Sequence, residues 1–174
     1  MGITREQALG CLASDDLIGI GMEADAMRRA LHPEGVVTYC LHETARVATM
    51  TFGLGETIED RIAELESLRA QQAKTSDFVA FRLIASAALR PEEPTAVEYL
   101  KTLAVARLTL DNIANVEASL ETQGLKVLQM ALRFGANDAG AIGSAAEENI
   151  RRVIRGAGFM PVERDSAYGV CYLA

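Results

Sequence analysis

Short apolar runs of strand length, each followed by an amphipathic stretch of helical length, recur along this chain from Val36 onward. That alternation limits the fold more than any other feature. VVTYCL at 36–41, VATMTF at 47–52 and DFVAFRLIA at 77–85 are rich in β-branched and aromatic residues, as strands are, and NVEAS at 115–119 reads as a further short strand. The intervening helices run from Thr57 to about Lys74, from Thr95 to Asp111-Asn112, and from Leu125 to Phe134. FGANDAGAIG at 134–143 reads as a strand plus loop, a charged helix from Glu147 to Ala157 follows, and PVERDSAYGVCYL offers a possible final strand. Strand and helix in alternation with short links imply parallel strands joined by right-handed crossovers. The expected fold is α/β, a partial (β/α) barrel of about five strands.

A helical pair comes first. Thr4 and Gln7 have capping-box spacing before Glu6 to Leu12, and Ser14 or Asp15 opens a second helix through Ile18, Met22 and Met27 to Leu31. His32-Pro33-Glu34-Gly35 then makes a turn. Thr95 and Glu98 repeat the capping-box spacing, while Pro91 and Pro94 mark LRPEEP as an irregular loop. At 174 residues the chain is expected to form one domain, with 1–35 as the helical pair and 36–174 as the incomplete barrel.

Charge and cysteine usage narrow the function classes. Twenty-four acidic residues against 17 basic ones give a net charge of -7, with no basic block or basic-aromatic alternation, so a nucleic-acid groove is not expected. No run of 18 apolar residues and no apolar signal core occurs, so neither a membrane span nor secretion is expected. Cys11, Cys40 and Cys171 are odd in number and far apart, which suits a reducing cytoplasm rather than a disulfide framework or a zinc site.

Ligands in such folds meet the C-terminal ends of the strands, so the polar residues there are the candidates. Gly53 and Glu56 follow the second strand. Arg82 lies within an apolar strand, either pointing into a polar interior or sitting on an edge. Thr122 and Gln123 can bond sugar hydroxyls or base edges, or simply cap the helix near Gly124. Asn137 and Asp138 between glycines can accept from ribose hydroxyls, or serve as turn residues. His32 and His42 have no recognisable triad partner, and no catalytic residue is assigned.

LHPEGVVTY at 31–39, ATMTFGLGET at 48–57, EYLKTLAVARLTLDNI at 98–113, ASLETQGLKV at 118–127 and ALRFGANDAG at 131–140 together resemble the radical S-adenosylmethionine enzymes of the futalosine route to menaquinone. Thr122-Gln123-Gly124 favours the cyclic dehypoxanthine futalosine synthase branch. The resemblance implies a barrel that cleaves S-adenosylmethionine at a 4Fe-4S cluster and cyclises a futalosine derivative. It places Gly53 and Glu56 near the adenosine of that cofactor, while Arg82, Thr122, Gln123, Asn137 and Asp138 are the expected substrate-binding residues. Two departures stand out. Leu120-Glu121 replaces the family's Trp-Val pair, and VVTYCL passes into ARVATMTF without the C-x-x-x-C-x-x-C loop that holds the cluster. The expectation is therefore an internally shortened relative with no cofactor or metal of its own, unable to catalyse alone and at most retaining a nucleoside-type ligand. An interaction or scaffold protein is the alternative. A complete (β/α)8 barrel needs about 250 residues, so the open edges left here imply self-association.

Overall fold

Chain order and spatial order part company at the first crossover. The structure, a computed structural model, describes residues 2–86, 95–143 and 146–171. Six strands form one wholly parallel sheet: β1 (Val36–Cys40), β2 (Val47–Phe52), β3 (Ala80–Ala85), β4 (Asn115–Glu117), β5 (Asp138–Ala141) and β6 (Met160–Glu163). Their order is β2-β3-β4-β5-β1-β6, so the first two strands in sequence stand four places apart. The sheet has six strands against the expected five or so, because the possible final strand at PVERDSAYGVCYL does form, as β6 beside β1. This parallel α/β architecture is consistent with a partial (β/α) barrel.

Helices α3 (Ile58–Thr75), α4 (Ala96–Thr109), α5 (Leu120–Ala131) and α6 (Glu147–Gly156) connect successive strands from β2 onward, each packing on the next. The N-terminal pair, α1 (Arg5–Ala13) and α2 (Leu17–Leu31), packs on α4. Pressed from both sides, α4 buries ten of its 14 residues, among them Tyr99, Leu103 and Leu108, which explains its near-continuous apolar sequence. Phe52, Phe81, Leu83 and Val116 meet these helices from one face of the sheet, in a single buried apolar cluster.

The local starts and stops follow side-chain chemistry. Thr4 and Gln7 form the reciprocal capping box, as do Thr57 and Asp60 at α3. Thr95 accepts from the Glu98 amide, but the Glu98 carboxylate turns to Arg61 instead of completing a box. The cap of α2 is Asp16, bonded to the Gly19 amide, and not Ser14 or Asp15; the Ser14 hydroxyl accepts from the Asp16 amide instead. The last connecting helix before β5 begins at Leu120, capped by Ser119, and kinks at Gly124, where φ is +73°. The expected start at Leu125 is therefore only the second half of that element. LRPEEP at 89–94 lies outside the described residues.

The link between β1 and β2 has only residues 41–46 with which to cross four strand positions. Seven extended steps reach about 25 Å, too little to pass round a helical layer. The link instead crosses the face that the helices leave open: Thr44 is buried there against Arg164, and Glu43 reaches Arg82 at 3.6 Å.

Candidate functional site

Parallel register places one residue from every strand in a single row on that open face. Thr49, Arg82, Glu117, Asp138, Thr38 and Val162 are successive partners across β2, β3, β4, β5, β1 and β6. Because side chains alternate along a strand, all six face away from the helices. Arg82 therefore does point into a polar interior, on a strand with neighbours on both sides.

Arg164, just beyond β6, reaches back over this row. Its Nε donates to Asp138 at 2.5 Å, and its Nη2 donates to Asp138 at 2.9 Å and Glu117 at 3.2 Å; its Nη1 donates to Thr44. Glu117 also accepts from Arg82 Nε at 2.6 Å and from the Tyr168 hydroxyl at 2.8 Å, and the Thr38 hydroxyl donates to Asp138. Arg164, Glu117 and Asp138 side chains are wholly buried. Two guanidinium groups thus face two carboxylates in a cluster whose charges match.

Burial dominates the electrostatics here. It raises the pKa of Glu117, and the neighbouring Asp138 carboxylate raises it further, against the pull of Arg82 and Tyr168. Burial also holds the Tyr168 phenol well above its ordinary range, reinforced by Asp138 and Glu117, so Tyr168 stays a hydrogen-bond donor at neutral pH. For Arg164, burial opposes the charge, but Asp138 and Glu117 outweigh it and keep the guanidinium protonated. Arg82 Nη2 is buried with no hydrogen-bond partner among the described residues.

Beneath this layer, toward the N-terminal ends of the strands, lies a cavity of about 630 Å³. Thr38, Asn115, Asn137, Val162 and Tyr168 contribute to its wall, and Glu34 and Arg151 are among its charged lining. Asn137 is fixed from three directions: its Oδ1 accepts from Arg107 Nη2 at 2.7 Å and from the Val116 amide at 2.9 Å, while its Nδ2 donates to Asn115 Oδ1 at 2.9 Å. Its volume falls in the range of small-molecule sites, although it opens at the end opposite to the one usual for α/β folds.

Of the predicted ligand-binding residues Asn137 lines this cavity, as does His32, for which the sequence shows no triad partner; Arg82 and Asp138 belong to the charged layer above it. Gly53 and Glu56 form the turn from β2 to α3. Burial would raise the Glu56 pKa, but amide donors at Gly53, Glu56 itself and Leu54, with Arg61, bring it down to about 2. Thr122 and Gln123 lie in the first turn of α5, where Thr122 bonds the capping Ser119 hydroxyl. Tyr168, Arg164, Glu117, Asn115 and Thr38 escaped selection from the sequence; the signal for Arg164 and Tyr168 was the dense polar run ERDSAY, and that for the other three was a polar residue within a predicted strand.

The three thiols do not fit an iron-sulfur cluster. Cys40 is buried at the end of β1, Cys11 is half-buried on α1 and Cys171 is exposed beyond β6. Among the described residues no group of three or more His, Cys, Asp or Glu side chains is arranged to hold a metal ion. No helix among the described residues is long and apolar enough to cross a membrane.

With this geometry in place, comparison with known proteins adds the lineage. The family model described as the CofH/MqnC C-terminal region matches residues 86–173. Cyclic dehypoxanthine futalosine synthase of Halalkalibacterium halodurans is 34% identical over 144 residues, covering 71% of this chain and 38% of that protein. Aminodeoxyfutalosine synthase of Thermus thermophilus is 31% identical over 147 residues, covering 70% and 39%. The 5-amino-6-(D-ribitylamino)uracil–L-tyrosine 4-hydroxyphenyl transferase of Methanosphaerula palustris is 38% identical over 114 residues, covering 60% and 31%. The chain thus spans well under half the length of these relatives. A match over half its residues, together with these identities, places the chain in the CofH/MqnC family.

Proposed function

We propose that this chain is an internally shortened relative of the futalosine-pathway enzymes that holds a nucleoside-type small molecule and does not carry out radical chemistry by itself. The cavity carries this reading: about 630 Å³ in volume, it is walled by an aromatic ring and by two hydrogen-bonded amides beneath a buried layer of matched charge. The names of the relatives support a nucleoside-like ligand, and the scattered thiols support the absence of independent catalysis. Titration calorimetry with adenosine and S-adenosylmethionine tests binding, and heat from neither ligand overturns it. Anaerobic reconstitution with iron and sulfide tests the other half. A cluster absorption band together with deoxyadenosine formation overturns the claim of inactivity.

A scaffold role is the second reading, favoured by β2. This six-residue strand is an edge of the sheet, with Thr49 and Thr51 exposed. An uncovered parallel edge is a template for another strand. Self-association is the expected outcome, and a monodisperse monomer by light scattering at micromolar concentration counts against it.

A further inference from the structure

The wall of the cavity is selective about ligand chemistry. We infer that it takes a flat, uncharged heterocycle, stacked on Tyr168 and read along its edge by Asn115 and Asn137. This rests on the nucleoside reading and adds which part of such a molecule enters, and that a phosphorylated one is disfavoured.

Charge comes first. In the layer above the cavity Arg164 is committed to Glu117 and Asp138, and Arg82 gives its Nε to Glu117 with Glu43 3.6 Å from its Nη1. Arg151, the guanidinium in the lining, donates to the Tyr39 hydroxyl at 2.7 Å and lies 3.5 Å from Glu147. Glu34 and Glu163 add negative charge to the same lining. A phosphate entering here meets the Glu34 and Glu163 carboxylates, a lining guanidinium already engaged by Tyr39 and Glu147, and a His32 ring bonded to the Ala114 carbonyl, whereas a neutral ring loses little on leaving water.

Stacking follows from how Tyr168 is held. The Arg164 guanidinium lies 3.8 Å from the centroid of its ring, covering one face, and Tyr168 is part of the cavity wall. The hydroxyl is tied to Glu117, and Asp165 Oδ1 accepts from the amides of Ala167 and Gly169, bracing the turn that carries the ring. A ring fixed in this way costs little entropy when a ligand stacks on it.

The edge is read by amides with capacity to spare. Asn137 has both Oδ1 lone pairs occupied and one Nδ2 hydrogen given to Asn115, leaving a single donor. Asn115 gives one Nδ2 hydrogen to the Val79 carbonyl, and its Oδ1 accepts one bond, leaving one donor and one acceptor. Thr38 spends its hydroxyl hydrogen on Asp138 and can only accept. Adjacent neutral donors and acceptors match the amide-like edge of a heterocycle.

Titration calorimetry of the full chain with inosine, inosine 5′-monophosphate and ribose tests the inference. Inosine is expected to bind, the monophosphate at least tenfold more weakly, and ribose not at all. Tyr168→Ala should weaken inosine about ten- to a hundredfold, while Tyr168→Phe, which keeps the ring, should stay within about fivefold of the original. Should Tyr168→Ala fail to fold, Val162→Phe fills the cavity from β6 and should abolish inosine binding. Equal binding of inosine and ribose overturns the inference, as does inosine binding unchanged in folded Tyr168→Ala or Val162→Phe; either result leaves the nucleoside reading standing. Inosine, adenosine and S-adenosylmethionine all failing to bind overturns both.

Discussion

Arg107 and Arg164 are both wholly buried, yet they are neutralised in different ways. Arg107, on α4, has dipoles as partners: its Nε donates to the Gly135 carbonyl, its Nη1 to the Ala114 carbonyl and its Nη2 to Asn137 Oδ1. Burial, with the nearby charge of Arg28, pushes it down to about 9, so it stays charged at neutral pH. Arg164 has two carboxylates, and its proton is held more tightly than usual. The first arrangement fixes backbone, tying α4 to the segment that leads into β5. The second fixes charge, joining β4, β5 and the chain beyond β6 above the cavity. Dipoles can be replaced by water if the site opens; stranded carboxylates cannot be released so cheaply.

The difference predicts unequal consequences. Arg164→Met leaves Glu117 and Asp138 side by side with only Arg82 to balance them, and should cost about 3–5 kcal/mol in urea unfolding. Adding Asp138→Asn to Arg164→Met should recover part of that loss, because it removes one of the stranded charges. A double variant no more stable than the single one would mean that the cluster holds by shape and not by charge matching.

Arg107→Met should cost less, about 2–3 kcal/mol, by leaving the Gly135 carbonyl and one acceptor site on Asn137 unpaired. The Ala114 carbonyl is shared with the His32 ring at 2.9 Å, so that acceptor keeps a partner. Loosening Asn137 should also weaken any cavity ligand, a coupling that calorimetry on the Arg107→Met variant reads directly. If Arg107→Met proves costlier than Arg164→Met, the ranking of carboxylate over dipole partners is wrong.

The two arginines were unequally legible in the sequence. LAVARLTL shows one charge inside an apolar helix, a signal that Arg107 is buried and partnered, although its partners come from loops 7–30 residues away. Arg82 was recognisable for the same reason, a charge inside a strand. Arg164 was not, because it follows a weak strand in a polar segment, and its partners lie 26 and 47 residues upstream. Periodicity reported that β4, β5 and β6 exist, but the row Arg82-Glu117-Asp138 depends on register, which no local pattern specifies. The same limit hid the cavity. The strand-end rule directed attention to Gly53, Glu56, Thr122 and Gln123, while the cavity lies at the other end, where the sequence offers Asn137 as a candidate with a turn role as its alternative and Asn115 only as the start of a short strand.

Arg61 tests the comparison in a third setting, because it joins both kinds of partner at the rim. It donates to Glu56 at 2.8 Å and Glu98 at 2.6 Å, and its guanidinium lies 4.8 Å from the Phe52 ring centroid. Glu56 in turn accepts from the Gly53 and Leu54 amides, so one carboxylate closes the β2–α3 turn and anchors Arg61. Since the folded pKa of Glu56 is about 2, below an unfolded value near 4.5, its contribution is fully present above about pH 4.5. That contribution is lost as pH falls toward 2, where the folded protein also takes up the proton. Glu56→Gln should therefore cost about 1–2 kcal/mol at pH 7, and the gap between wild type and variant should narrow steadily between pH 5 and pH 2. Urea midpoints measured across that window check the sign. A gap that stays constant with pH would mean that Glu56 acts through its shape and hydrogen bonds alone, with Arg61 satisfied by Glu98.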